Sequence, residues 1–201
     1  MKKVTLYFVC LLFIKPTFAQ FNEFKGGFLF NPNVTLFSGG AVQVLEIRNY
    51  FAPSAGIYIK RALYKNLYAT FDIRYIQKGN GLRLNEKRKI GIRLNYIETP
   101  LMLGYSFDIK KKKLYLEFGL ALGHLIGSKT NHYDFIYLER EIDDFRKNEL
   151  SLVQSVKTSL NKEETILIGF RTSLSGFFYS IHNYYDLNNF VFGLEFIYLI
   201  R

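Results

Sequence analysis

Residues 94–122, "LNYIETPLMLGYSFDIKKKKLYLEFGLAL", decide which class of fold this chain adopts. Apolar side chains occupy every second position on both sides of a run of four lysines, Lys110–Lys113. A period of two is typical of an extended strand with two different faces. The faces opposite the apolar ones hold Glu98 and Glu117. The stretch therefore predicts two antiparallel strands joined by a lysine turn, each with one apolar face.

The same alternation recurs in three further segments of the chain. These are "LYATFDIRYIQ" (67–77), "TILIGFRTS" (165–173) and "FVFGLEFIYL" (190–199). In each, one face carries large apolar side chains, and the other mixes glycine, small residues and isolated charges. A narrow membrane barrel explains this asymmetry, because its outer wall must match hydrocarbon while its interior admits small or mutually paired polar groups. A soluble lipocalin-like barrel or sandwich, with the bulky face inward, is the alternative.

The composition leaves both classes open. Of the 201 residues 17% are aromatic, with 15 Tyr and 20 Phe, and the formal net charge is +10. Tyrosine and phenylalanine favour extended, half-buried segments. The mean hydropathy is near zero, which alternating apolar and polar positions produce as readily as a soluble surface does. Beyond the N-terminus there is no run of about 18 apolar residues, so no membrane-spanning helix is predicted.

The first twenty residues, "MKKVTLYFVCLLFIKPTFAQ", have the organisation of a secretory signal peptide. A basic start precedes an apolar run that is too short to span a bilayer, and small residues suit cleavage before Gln20. We predict a signal peptide at 1–19 and an outer-membrane domain at 20–201; a buried N-terminal helix is the alternative. The only cysteine, Cys10, lies in the predicted signal. The mature chain is therefore expected to lack disulfides and thiol chemistry.

Eight segments are predicted as strands: 24–30, 55–63, 67–78, 90–109, 113–127, 164–174, 177–186 and 190–199. Long connections at 31–54, 79–89 and 128–163 alternate with short turns, as in outer-membrane barrels whose long loops face outward. The predicted fold is therefore all-β: an eight-stranded antiparallel up-and-down transmembrane β-barrel. Its predicted location is the outer membrane of a Gram-negative bacterium.

The strand predicted at 90–109 has two irregular features. Pro100 cannot donate a ladder hydrogen bond, and Arg93 and Asn95 share the parity of the lipid-facing residues. A β-bulge near 95–97 would restore the register. Alternatively these two residues lie above the bilayer, which we favour because the strand exceeds the roughly 9–11 residues that span lipid.

Two motifs resemble those of a known family. "YIETPLMLGYSF" (96–107) is similar to the Tyr-Leu-Glu-Ile-Pro-Leu strand of the PorT-like outer-membrane β-barrel family of Bacteroidetes-type bacteria. "DIRYIQKGNG" (72–81) resembles that family's strand ending in Gln-Lys-Gly. The resemblance covers residues 20–201 and implies an eight-stranded outer-membrane barrel, with no activity assigned to most members. The chain departs from such barrels at its end, "FIYLIR" (196–201), which lacks a terminal aromatic.

Inward parity predicts a charge network in the lumen. Its members are Lys25, Lys60, Arg74 and Arg171, with Asp72, Glu98, Glu117 and Glu195. Buried charges persist when they are paired and hydrogen-bonded, and an eight-stranded interior has room for little besides side chains. The favoured interpretation is a salt-bridged structural plug. A small-solute channel or a ligand-binding barrel stays open as the alternative.

The predicted outer loops suggest partners. A basic cluster, Arg83, Lys87, Arg88 and Lys89, is a candidate for contacts with lipopolysaccharide phosphates, beside the barrel's contact with outer-membrane lipid. A solvated loop face explains it equally well. The charge-rich loop predicted at 128–163 is a candidate for binding a protein partner. A nucleic-acid partner is not implied, because an exported barrel with one basic cluster does not have the features of a nucleic-acid-binding protein.

Motifs for catalysis are sparse. The three histidines, His124, His132 and His182, have no metal-ligand spacing, and no cofactor, metal or catalytic residue is predicted. Ser128, His132 and Asp134 are the residue types of a hydrolase or acyltransferase triad, which is defined by geometry and not by proximity in sequence. An outer-membrane enzyme is therefore a minor alternative to a non-enzymatic barrel.

Overall fold

The computed structural model of the protein describes residues 24–38, 46–48, 50–83, 89–110, 112–132, 147–175 and 188–200. Within these ranges no helix has the length and apolar character that crossing a membrane requires. The strands are β1 (Phe24–Asn31), β2 (Asn33–Ser38), β3 (Glu46–Arg48), β4 (Tyr50–Phe51), β5 (Ser54–Tyr64), β6 (Leu67–Arg83), β7 (Lys89–Ile109), β8 (Lys112–His132), β9 (Asn148–Ser159), β10 (Ile166–Ser175) and β11 (Asn188–Leu199). The predicted signal peptide at 1–19 lies outside the described residues.

The described strands form a ring of eight. β1 and β2 pair with β11 in one continuous register and are separated only at Pro32, which lacks the N–H of a ladder donor. β4 and β5 likewise continue one register along β2 and β1, with a break at Pro53, and β3 extends this strand along β6. All neighbours are antiparallel, and the pairing of β1 with β11 closes the sheet. The prediction of an all-β, eight-stranded antiparallel barrel is confirmed.

Three of the predicted connections contain strands, which corrects the predicted segment list. β9 lies inside the predicted loop 128–163, where it pairs with both β8 and β10. The predicted strand at 177–186 falls outside the described residues. The described ring contains eight strands without it, because β9 supplies a strand where a loop was predicted. The predicted loop 31–54 contains β2, β3 and β4, and β6 and β7 continue into the predicted loop 79–89.

The burial pattern of the barrel is the reverse of a soluble protein's. Large apolar side chains on the outward face are exposed, among them Phe118 at 56% and Leu103 at 59%. The interior instead buries charged side chains such as Arg74 and Glu195 at 1% and 0%. An apolar wall of this kind suits hydrocarbon, whereas in water it would form an extended exposed patch. The apolar faces identified in the sequence therefore point outward.

A β-bulge is present at the level of residues 95–97 of β7, but its extra residue belongs to the neighbouring strand, β8. The register of β7 with β8 shifts between Asn95 and Tyr96, whose partners are Gly127 and Leu125, so Ile126 is the extra residue. The alternation of β7 is unchanged, and Arg93 stays exposed on the outer face. On β8 the bulge reverses the parity beyond Ile126 and thereby turns Lys129 outward, opposite Arg93.

Candidate functional site

The lumen is arranged in layers between two ends. We call the end with the short β5–β6, β7–β8 and β9–β10 connections the turn end, and the opposite one the loop end. Toward the turn end lies a buried apolar cluster of Leu29, Tyr58, Tyr68, Tyr115, Leu167, Ile197 and Leu199. Toward the loop end lies a second cluster of Ile76, Leu94, Tyr96 and Val191. Charged side chains fill the space between these two layers, because the inward positions of β6, β8, β9, β10 and β11 place them there.

Glu195 of β11 is the centre of the charged layer. Its Oε1 lies 3.4 Å from Nη1 of Arg171 and 3.5 Å from Nη2 of Arg74. Its Oε2 lies 3.0 Å from Nζ of Lys157 and accepts a hydrogen bond from Oγ of Ser155 at 2.9 Å. One fully buried carboxylate therefore faces three cations from three strands.

Asp72 supplies the second carboxylate for the two arginines. Its Oδ2 accepts a hydrogen bond from Arg74, two residues further along β6, and lies 3.4 Å from Nη1 of Arg171 across the lumen. Both acids are thus shared between both arginines, which is the condition under which buried charges are tolerated. Asp72 Oδ1 and Arg74 Nε have no protein hydrogen-bond partner in the described part of the chain.

Glu117 of β8 connects this layer with the turn end. Its Oε2 accepts a hydrogen bond from Nζ of Lys157 at 2.6 Å. Its Oε1 accepts hydrogen bonds from the hydroxyls of Tyr58 at 3.1 Å and Tyr68 at 3.3 Å. Since Lys157 also contacts Glu195, the six residues Asp72, Arg74, Glu117, Lys157, Arg171 and Glu195 form one continuous ion-pair network, which we call the central network.

A second ion-pair group lies nearer the loop end. Nζ of Lys78 donates to Oε1 of Glu98 at 2.7 Å and also to Glu149 at the start of β9. Lys78 belongs to the Gln-Lys-Gly motif and Glu98 to the Glu-x-Pro motif, the two motifs on which the family resemblance depends. The two motifs are therefore joined by a direct, buried ion pair between adjacent strands.

The structure brings together six of the eight predicted lumen residues: Asp72, Arg74, Glu98, Glu117, Arg171 and Glu195. The other two, Lys25 and Lys60, lie opposite each other toward the turn end, outside both ion-pair groups. Nζ of Lys60 instead lies 4.2 Å and 4.0 Å from the ring centroids of Tyr68 and Tyr115, which is cation–π geometry.

Sequence reasoning missed three members of these groups. Lys157 and Glu149 belong to β9, which was predicted as loop, so no parity was assigned to them. Lys78 has the same parity as Asp72 and Arg74 on β6, and this parity indicates that it also faces the lumen. It is the last residue of the strand predicted at 67–78 and was not included among the predicted lumen residues.

The turn that follows β9 is fastened to the turn end by Glu164. Its backbone is left-handed, with φ of 55°, and its Oε2 accepts a hydrogen bond from the Tyr115 hydroxyl at 2.6 Å. Its Oε1 lies 3.3 Å from Nζ of Lys113. Partial burial raises the pKa of Glu164, but the hydrogen bond from Tyr115 and the charge of Lys113 outweigh it, so the pKa lies below its usual value of 4.5.

We expect the stability that Glu164 contributes to depend on pH. Because its pKa is lower in the folded protein, the contribution is complete above about pH 4.5 and is lost as the pH falls through the folded-state pKa. The Glu164→Gln variant should therefore be less stable than the wild type at pH 7, by no more than about 1 kcal/mol because the pair is partly exposed. Urea unfolding at pH 7 and pH 3 measures this. The difference should shrink at pH 3, and an equal difference at both values would contradict the assignment.

The predicted loop residues are only partly described. Arg83 and Lys89 face each other as the last pair of the β6–β7 ladder, whereas Lys87 and Arg88 lie outside the described residues. Of the triad candidates, Asp134 also lies outside them. Ser128 and His132 are four residues apart on one strand, so their Cα atoms are about 13 Å apart, beyond hydrogen-bond reach of their side chains. In the described ranges no three His, Cys, Asp or Glu side chains form a metal site.

Several solved barrels resemble the chain. The crystal structure of Neisserial surface protein A has 10% identity and a TM-score of 0.51, covering 86% of this chain and 96% of that chain. The attachment invasion locus protein Ail of Yersinia pestis has 10% identity and a TM-score of 0.45, covering 89% and 99%. OprG from Pseudomonas aeruginosa has 9% identity and a TM-score of 0.43, covering 89% and 94%. At these identities the likeness concerns the fold alone.

No curated protein sequence matches the chain. The family model described as outer membrane protein beta-barrel domain, however, matches residues 18–192, from before β1 into β11. This match agrees with the closed antiparallel ring and with its exposed apolar wall, and it confirms the predicted location in the Gram-negative outer membrane. The chain therefore belongs to the outer membrane protein beta-barrel domain family.

Proposed function

We propose that the protein is a closed, non-conducting and non-enzymatic barrel that works through its outer end, with the lumen serving as a structural plug. The observation that carries this proposal is the dense packing of side chains in the lumen. Two apolar layers bracket the central network, and its six charged residues are each at most 5% exposed. An ion crossing the barrel would have to displace both layers and separate paired charges in a low-dielectric interior, which is costly.

Within the family we propose a place among the PorT-like barrels. The support is the Lys78–Glu98 ion pair, which joins the two motifs that resemble that group. We further propose that residues 1–19 are removed as a signal peptide, so that the mature protein begins at Gln20. N-terminal sequencing of protein purified from outer membranes tests the cleavage site directly.

The loop end is the surface that we propose for contacts. β6, β7 and β8 have 17, 21 and 21 residues, more than the roughly 9–11 that cross lipid. These three strands therefore project beyond the bilayer and carry the basic β6–β7 hairpin outward. Contacts with lipopolysaccharide through Arg83, Lys87, Arg88 and Lys89, and with a protein partner through the segment between β8 and β9, are part of this proposal.

Planar-bilayer recording tests the sealed lumen. We expect no steady conductance from protein whose folding is verified by a heat-dependent shift in gel migration and whose insertion is verified by flotation with the lipid. The Glu117→Gln variant is the matched probe, because a current through the lumen would change its ion selectivity when a charge of the central network is removed. A steady wild-type current whose selectivity differs in Glu117→Gln would overturn the proposal and favour a channel.

One observation favours a second candidate, a site for a small polar ligand at the loop end. Ser151, Ser175 and Asn189 lie side by side on three strands and face inward. Ser151 Oγ and Asn189 Oδ1 have no protein partner among the described residues, and buried polar groups of this kind are normally satisfied. Binding that is lost in Ser151→Ala but leaves the barrel non-conducting would support this candidate.

A further inference from the structure

Two lysines lie directly opposite each other inside the mouth of the barrel at the turn end. Lys25 of β1 and Lys60 of β5 are partners in the ladder. Both side chains are half-buried and have the inward parity of Leu29 and Tyr58 on the same strands. Directly opposite residues on one face have Cβ atoms about 4.5–5.5 Å apart, and like charges in this arrangement destabilise a sheet. The pair therefore costs stability unless a negative group neutralises it.

The described part of the chain does not supply this negative group. Neither lysine of the pair forms an ion pair with a carboxylate of the described residues. The two acids that act most strongly on Lys60 are Glu117 and Glu164. Each of them is already bound to another lysine, Glu117 to Lys157 and Glu164 to Lys113. An anion from solution would neutralise the excess positive charge of the pair.

The surroundings of the pair provide hydrogen-bond donors from three neighbouring strands. Nζ of Lys60 lies over the rings of Tyr68 and Tyr115, and these contacts involve no hydrogen-bond acceptor, so its N–H groups remain available. On the other side of Lys60 the ladder places Thr70 of β6, which is 2% exposed. Its Oγ1 has no protein partner among the described residues, although buried hydroxyls are normally satisfied. Lys25, Lys60 and Thr70 therefore form one inward row of donors.

This row is open to water at the turn end and closed to the lipid. The outward neighbours of the two lysines include Phe24 and Ile59, which are exposed on the lipid-facing wall at 60% and 36%. Toward the centre of the barrel, the buried apolar cluster of the turn end closes the lumen. An eight-stranded interior holds at most a small ligand. The row therefore suits a small soluble anion and not a lipid headgroup.

We propose that the turn-end mouth binds a small oxyanion, a phosphate or a simple carboxylate, between Lys25 and Lys60, with the Thr70 hydroxyl as a third donor. An oxyanion has several acceptor oxygens, so it bridges two ammonium groups and a hydroxyl at once. The inference goes beyond the proposed function, which places the contacts of the barrel at the loop end, and adds a site at the opposite end.

The test compares inorganic phosphate with chloride at equal ionic strength. The protein is placed in phosphatidylcholine nanodiscs, and the loss of the fast-migrating folded band on heating gives the midpoint of unfolding. Phosphate at about ten times its dissociation constant should raise the midpoint of the wild type by about 3–6 °C. Lys25→Gln and Lys60→Gln should lose most of this shift. Thr70→Val, which removes only the hydroxyl, should lose part of it.

The sign of the Lys25→Gln effect separates binding from folding. In chloride this variant should be at least as stable as the wild type, because it removes one of two opposed like charges. In phosphate it should be less stable, because only the wild type gains the bound anion. Lys112→Gln is the control, since Lys112 is an exposed lysine of the same end, at the start of β8. It should keep the full shift.

The outcomes distinguish this inference from the proposed function. A wild type without a phosphate-specific shift, a full shift in both Lys25→Gln and Lys60→Gln, or an equal loss in Lys112→Gln would overturn the oxyanion site. Equal destabilisation of Lys25→Gln in both salts would also overturn it, because the lysine would then act without an anion. A barrel that shows the predicted shifts but conducts ions would overturn the sealed lumen and leave the oxyanion site standing.

Discussion

Replacing Glu195 by alanine is expected to lower the free energy of unfolding of the barrel by about 3–5 kcal/mol. The carboxylate is fully buried and faces Arg74, Lys157 and Arg171, at 3.0 to 3.5 Å. Without it, three cations share only Asp72 and Glu117, and no solvent is at hand to compensate. The cost comes from the cations left without a partner, and not from the attraction of one ion pair alone.

Urea unfolding of the protein in lipid vesicles, followed by circular dichroism and by the folded gel band, measures this loss. The matched control is Asp108→Ala, since Asp108 is an exposed carboxylate near the end of β7, and its change should stay within about 0.5 kcal/mol. Combining Glu195→Ala with Lys157→Met removes one cation as well and should recover part of the stability. If Glu195→Ala were no worse than the control, the central network would not hold the lumen together.

The fold was predictable where the two faces of a strand differ strongly. β8 and β11 alternate large apolar residues with glycine, small residues or a single glutamate, and both were found with the correct face outward. The pattern reflects the environment of each side chain. Outward residues face lipid and inward residues face a narrow polar lumen, so the two faces of a strand differ strongly in polarity. The strand number did not follow from such segments alone, because the predicted set of eight lacked β9.

β9 shows why the remainder of the fold was missed. In "NELSLVQSVKTS" the outward positions include Gln154 and Thr158, and the inward ones include Val153, so the two faces differ little in polarity. Its place is fixed by pairing with β8 from Asn148 to Thr158 and with β10 from Ser151 to Ser159, which is a non-local property. The alternation of apolar and polar residues in one sequence does not show which strands pair with each other.

Sequence predicts which side chains face the lumen, but not at which level along the barrel axis they lie. Parity assigned both Lys60 and Arg74 to the inward face; Arg74 lies buried in the charged layer, whereas Lys60 lies against tyrosine rings toward the turn end. Along a tilted barrel, residues that meet across the lumen come from different positions of distant strands, as Arg171 and Asp72 do. Parity within one strand carries no such information, and therefore Lys25 and Lys60 were grouped with a network that they do not join.

Arginine placed on the outer wall should test the orientation of the whole barrel. Phe118 lies in the middle of the outward apolar run of β8, from Leu114 to Leu122, and is 56% exposed. Arginine near the midplane of the bilayer costs about 2–4 kcal/mol and near the interface about 0–1 kcal/mol. We therefore expect Phe118→Arg to destabilise the barrel in vesicles by about 2–4 kcal/mol.

The same strand and the same face supply the matched control. His124 is six residues nearer the loop end, a distance of about 20 Å along the strand, and its Nδ1 already shares a hydrogen bond of 2.8 Å with Oδ1 of Asn148. His124→Arg should therefore cost at most about 1 kcal/mol in the same vesicles. A soluble barrel with these residues in water would instead tolerate Phe118→Arg at least as well as His124→Arg. The order of the two variants thus decides whether this wall faces hydrocarbon, because only a bilayer makes the cost of a charge depend on its depth along one strand.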